Sequence, residues 1–134
     1  MKRIEHIGIA VSSLEKSIPL FESLLGTHCY KTETVASENV KTAFLKSGEN
    51  KIELLESQSE DGVIAKFISK KGEGMHHIAF EVQDIIAEMK RLREAGFQFL
   101  NESPKEGADN KLVCFLHPKS SNGVLVELCQ EKEG

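Results

Sequence analysis

The chain has 134 residues, and its 17 Lys plus Arg against 21 Asp plus Glu leave a net charge of −4. That length suits one domain with a real core, and the mild acidity excludes the basic footprint that nucleic acid or an anionic membrane requires. No apolar run approaches the ~18 residues of a membrane span, and three cysteines without a Cys-x-x-Cys spacing exclude a disulfide framework and a zinc finger. A reducing, cytoplasmic compartment is expected. The N-terminus runs straight into a strand-like pattern, so no signal or transit segment is expected before it.

His6–Val11 alternates apolar with polar or small residues and reads as a strand. Ser12 opens a helix, with Glu15 as its capping-box partner. Leu14, Ile18, Phe21 and Leu25 form the helical stripe, and Gly26 stops it. Pro19 removes one internal hydrogen bond, which predicts a kink or a loosened first half. Strands follow at His28–Val35, Val40–Leu45 and Lys51–Leu55. The polar stretch Ser57–Gly62 leads into a short helical pattern, Val63–Ser69, and Lys70–Gly74 is a link. His77–Val82 is the next strand. Asp84 caps a second helix carrying Ile85, Met89 and Leu92, which ends at Gly96. Three more strands are expected at Phe97–Leu100, Leu112–His117 and Val124–Cys129.

The chain therefore repeats. His6-Ile7-Gly8-Ile9-Ala10-Val11 matches His77-Ile78-Ala79-Phe80-Glu81-Val82, and each is followed by a turn, a helix and three strands. The spacing from His6 to Phe44 equals that from His77 to Phe115. Beyond it the second copy is three residues longer, at a hairpin tip where insertions are tolerated. The expected fold class is α+β: two tandem βαβββ modules, residues 1–58 and 74–134, joined by a linker at 59–73 within a single domain. A lone unit of this kind has too little core, so two such units bury their open faces together.

Four residues stand at matching positions: His6 and Glu53 in the first copy, His77 and Glu127 in the second. Strand parity puts Ile7, Ile9 and Val11 on the helix-facing side and His6, Gly8 and Ala10 on the other, which should line something open. The same parity selects His77 over His76. Glu53 and Glu127 each sit between apolar neighbours, where an unpaired charge is costly. Taken singly, each of the four reads as a core histidine or a paired carboxylate. Together they make a divalent metal site, with about two of six positions left for substrate oxygens. Cys114 and Cys129 read as small buried hydrophobes. His28 reads as a surface residue, His76 as packing, and Lys119 as solvated.

This organisation resembles the vicinal oxygen chelate superfamily, and within it the methylmalonyl-CoA epimerase family. The resemblance covers essentially the whole chain. It is carried most specifically by Gly74-Met75-His76-His77-Ile78-Ala79-Phe80-Glu81-Val82, by Phe115-Leu116-His117-Pro118-Lys119-Ser120 and by Gly123-Val124-Leu125-Val126-Glu127-Leu128. It implies a curved mixed sheet around a metal site, and a homodimer. The implied ligands are His6, His77 and Glu127, with Glu53 as a fourth. The implied ion is divalent: cobalt first, then manganese, nickel, zinc or magnesium. The implied activity is epimerisation of methylmalonyl-CoA, an acyl-CoA thioester, through a metal-stabilised enolate; the pseudo-symmetry of the repeat makes Glu53 and Glu127 the natural acid–base pair. A glutamate base that some members carry on the second strand after the first helix falls here on Thr42, with Glu38 four residues earlier. Two alternatives are a glyoxalase I-like lactoylglutathione lyase and a metal-free small-molecule binding module, which does not need the four ligands.

Overall fold

The computed structural model describes residues 1–133. The elements run β1 (Arg3–Ala10), α1 (Leu14–Leu25), β2 (Lys31–Val35), β3 (Val40–Ser47), β4 (Asn50–Ser57), α2 (Val63–Lys71), β5 (Gly74–Glu81), α3 (Ile85–Glu94), β6 (Lys105–Glu106), β7 (Lys111–Phe115) and β8 (Val126–Glu131). The class is α+β, and both copies follow the expected order. The chain divides into two compact units: His6–His76, and Met1–Glu5 together with the chain from His77 on.

In the His6–His76 unit the strand neighbours are β2-β3-β4-β1. β1 is parallel to β4 and the other pairs are antiparallel. Alternation sorts the side chains by face. Ile9, Ala43, Leu45, Ile52 and Leu54 join Val11 against Leu14, Ile18, Phe21 and Leu25 of α1. That is the stripe the sequence predicts. On the other face Ala10, Val40 and Leu55 meet Ile64, Phe67 and Ile68 of α2. The side expected to be open is thus covered at its Ala10 end. The linker stretch supplies the cover, because its apolar residues recur at helical spacing.

Helix α1 starts one residue later than expected. Ser13, not Ser12, is the cap, and its hydroxyl accepts from the Lys16 amide. The Ser12 amide instead donates to the Glu73 carboxylate at 2.7 Å, and the Leu14 amide to Glu56 at 2.8 Å. These carboxylates satisfy donors that the helix start leaves free. Gly26 ends α1 in the left-handed conformation, φ 67°. The helix runs on through Pro19 to Leu25 without a break.

In the second unit the neighbours are β5-β8-β7-β6, with β5 parallel to β8. Its core joins Val82, Ile85, Met89 and Leu92 to Cys114, Leu116 and Leu128. Asp84 caps α3 as predicted, accepting from Ala87. The Ile85 amide donates to the Gln130 side chain at 2.7 Å. Gln130 stands three residues after Glu127 as Glu56 does after Glu53, so the repeat extends to the side chains that anchor each helix start.

Phe97–Leu100 is not a strand. Phe99 makes a single bridge to Leu116, and the two-residue β6 at Lys105–Glu106 pairs with β7 instead. The reason lies in the side chains. Phe97 and Phe99 pack against the α3 core, while the Gln98 amide is taken by the Ser120 hydroxyl. The apolar run serves packing as well as this short pairing, in which the Leu100 amide donates to the Phe115 carbonyl and the His117 amide to the Gln98 carbonyl.

The first residues of the chain complete this unit. The Lys2 amide donates to the Glu81 carbonyl at 2.8 Å, and the Glu81 carboxylate takes Lys2 Nζ and Arg3 Nη2, each at 3.1 Å. Burial alone would raise the Glu81 carboxyl, but hydrogen bonds from Lys2 and Arg3 outweigh it and hold the group below its ordinary 4.5. A carboxyl lowered on folding stabilises the native state above its ordinary value and loses that contribution as pH falls through its folded value. Glu81→Gln is therefore expected to be less stable than the parent at neutral pH. The difference should close as urea titrations are taken below pH 4.5. A gap that does not narrow in acid would remove the ion pairs as its cause.

Candidate active site

The two copies place their histidine and glutamate by the same register. In β1·β4, Gly8 lies opposite Glu53; in β5·β8, Ala79 lies opposite Glu127. Each glutamate thus faces a small residue two positions beyond the histidine. The small side chain leaves the carboxylate free to lean over the strand toward the imidazole. His6 Nε2 lies 3.2 Å from Glu53 Oε1, and His77 Nε2 lies 3.1 Å from Glu127 Oε1. Phe44 is opposite Glu53 on β3, and Phe115 is opposite Glu127 on β7. The Phe115 ring also meets the His77 ring edge-on, 6.0 Å between centroids.

All four side chains are buried, with 4–7% of each exposed. Buried carboxylates need a counter-charge or a donor, and each has an imidazole within hydrogen-bond reach. Neutral imidazole with carboxylate is also the donor set that suits first-row divalent ions. A cation held by these residues would supply the counter-charge that the carboxylates need. The residues present therefore fit a divalent metal.

The neighbours are structural. Cys114 is fully buried. Burial, and after it the Glu127 carboxylate, pushes its thiol up to about 12, which rules out a thiolate nucleophile at neutral pH. Cys129 is equally buried, and its thiol donates to the Phe80 carbonyl. His76 packs edge-on against Phe67, 5.0 Å between ring centroids. His28 is exposed beside Glu22. His117 caps a 3-10 turn at Pro118–Ser121, its Nδ1 accepting from the Lys119 amide, and Lys119 is exposed. Thr42 is buried, and its hydroxyl donates to the Glu33 carbonyl at 3.3 Å. A hydroxyl so placed is no general base. Glu38 lies in the 3-10 turn at Ala36–Glu38, just before β3.

The sequence reading missed a group of lysines. Lys51 pairs across from His6, Lys46 from Lys51, and Lys31 from Phe44. Paired residues share a sheet face, so all three lie on the side of the first unit that carries His6 and Glu53. Only the register reveals this, because the lysines come from three strands.

A family model described as the Glyoxalase/Bleomycin resistance protein/Dioxygenase superfamily matches residues 5–115. The chain belongs to that superfamily. Among its relatives, the ethylmalonyl-CoA/methylmalonyl-CoA epimerase of Cereibacter sphaeroides is 42% identical, over 96% of this chain and 97% of that one. The human mitochondrial methylmalonyl-CoA epimerase is 40% identical, over 96% of this chain and 73% of that protein. A Streptomyces coelicolor methylmalonyl-CoA epimerase variant, solved in complex with 2-nitronate-propionyl-CoA, superposes with a TM-score of 0.94 at 34% identity, covering 99% of both chains. Among the described residues, no helix is long and apolar enough to cross a membrane.

Proposed function

We propose that the chain is an epimerase of methylmalonyl-CoA that works with a divalent ion held by His6, His77, Glu127 and Glu53. The observation that carries this reading is the pair of buried histidine–glutamate contacts, one in each copy of the repeat. Relatives about 40% identical over nearly the whole chain bear that activity in their names. His6, His77 and Glu127 form a group of ligand type able to hold an ion; Glu53 adjoins it through His6 Nε2. Cobalt is the first choice of metal, with manganese, nickel, zinc and magnesium behind it. The family resemblance further supports a homodimer, and the free cysteines support a cytoplasmic location.

A bound divalent ion supplies Lewis-acid polarisation of the thioester carbonyl, which acidifies the neighbouring carbon. The chain supplies the proton traffic. Inverting that carbon needs one group to take its proton and another to return one to the opposite side. Glu53 and Glu127, from the two copies, fill these roles. The mostly buried surroundings exclude water that would otherwise compete for the proton.

The test is mass spectrometry of methylmalonyl-CoA incubated with the protein and cobalt in deuterated water. Deuterium should enter at the carbon next to the thioester far faster than in a protein-free blank, and a chelator should stop it. No exchange above the blank, with metal bound, would discard the substrate. Exchange that survives full chelation would discard the ion.

A further inference from the structure

We infer that Lys31, Lys46 and Lys51 form the subsite for the phosphate-bearing, nucleotide end of the acyl-CoA, an inference that rests on the epimerase reading above. Methylmalonyl-CoA is bulkiest and most charged far from its reacting carbon, where a diphosphate and a ribose phosphate follow the pantetheine arm. A protein that binds the whole thioester needs cations at some distance from the proton-transfer groups, on the same surface.

The first unit has that arrangement. Running outward across its strands, one row of paired residues is His6, Lys51 and Lys46. The adjacent row is Gly8, Glu53, Phe44 and Lys31. Neighbouring strands are ~4.8 Å apart, so Lys46 and Lys31 stand one and two strands beyond β4, with their stems extending the reach. Lys31 and Lys46 are exposed and Lys51 is half-buried. Glu33 pairs with Lys31 at 3.4 Å.

The site is also built rather than merely charged. Tyr30 stacks on the buried Phe44, with centroids 6.1 Å apart and planes within 12°. Lys46 Nζ lies over the Tyr30 ring, 5.5 Å from its centroid. An aromatic face holds a cation there, so Tyr30 is a positioning residue that keeps Lys46 on the substrate side. The longer hairpin of the second copy carries Lys119, but no corresponding lysine row crosses β5 and β8: the residues at the Lys51 and His6 rows there are Leu125 and His77.

The experiment compares methylmalonyl-CoA with methylmalonyl-pantetheine, which lacks the nucleotide. In the double variant Lys31→Glu, Lys46→Glu, KM for the CoA ester should rise about tenfold or more through charge reversal, with kcat held. KM for the pantetheine ester should not move. Tyr30→Ala should shift the CoA ester in the same direction, by less. A double variant with unchanged KM for the CoA ester overturns the proposal, and so does an equal rise for both esters, which would mark a local structural effect. If the wild type turns over neither ester, the epimerase reading falls on its own. Calorimetry with coenzyme A then decides the subsite: binding by the wild type that weakens about tenfold in the variant upholds it, and absent or equal binding overturns it.

Discussion

Glu53→Gln and Glu127→Gln should each lower deuterium exchange into methylmalonyl-CoA by about 10²–10⁴-fold, the range that a positioned acid or base contributes. The amide keeps the shape of each side chain and its place opposite Gly8 or Ala79, but it can neither take nor hold the proton. The two variants should differ in their metal content. Glu127 is proposed as a ligand together with His6 and His77, a group that could hold an ion, so Glu127→Gln should also bind the ion more weakly. Glu53 is the fourth proposed ligand and adjoins that group through His6; with the other three in place, Glu53→Gln should retain more of its metal than Glu127→Gln and still fail to exchange. A carboxylate bound to a cation is a weakened base, so one of the two must detach to take the proton; Glu53, outside the three-residue group, is the better candidate. Turnover kept in either variant would remove that residue from the pair.

Leu54→Ala and Leu128→Ala should each cost about 2–5 kcal/mol in urea unfolding, the usual loss for a buried leucine that leaves a cavity. Both are fully buried, Leu54 among the residues that seat α1 and Leu128 among those that seat α3. Against a typical total of about 5–15 kcal/mol this is a severe loss. Each leucine follows its glutamate in the chain and points to the other face, so the donor atoms themselves are untouched. Folded protein at low temperature should therefore still bind metal. A cost under about 1 kcal/mol would mean that the helix does not depend on the leucine beneath it.

The parts of this molecule readable in the sequence are those decided by near neighbours. Strand parity separated Ile9 and Leu54 from His6 and Glu53, and the faces are as read. Asp84 and Gly26 mark helix ends because their chemistry acts within one turn. The two buried histidine–glutamate pairs stood out because the chain states the motif twice. What stayed hidden depends on distant partners. Ser12 and Ser13 are equivalent as caps until Glu73 claims the Ser12 amide. Phe97 and Phe99 look like strand residues until α3 offers them a core. The far end of the His6 face looked open because nothing local says that Ile64 and Phe67 fold back over Ala10. The three lysines needed the pairing register of four strands before they became neighbours.

The placement of Met1–Glu5 has a consequence for how such a chain can be divided. The motif that is duplicated and the body that packs are not the same stretch of chain. The second body takes in five residues that precede the first copy's histidine. A gene cut at the internal repeat boundary would yield a second half whose Glu81 has neither Lys2 nor Arg3 and whose β5 has lost the Lys2 amide. Two separately expressed halves would each be incomplete, one lacking a strand end and the other carrying it unused. A repeat of this kind is best handled, by evolution or by an engineer, as one continuous polypeptide.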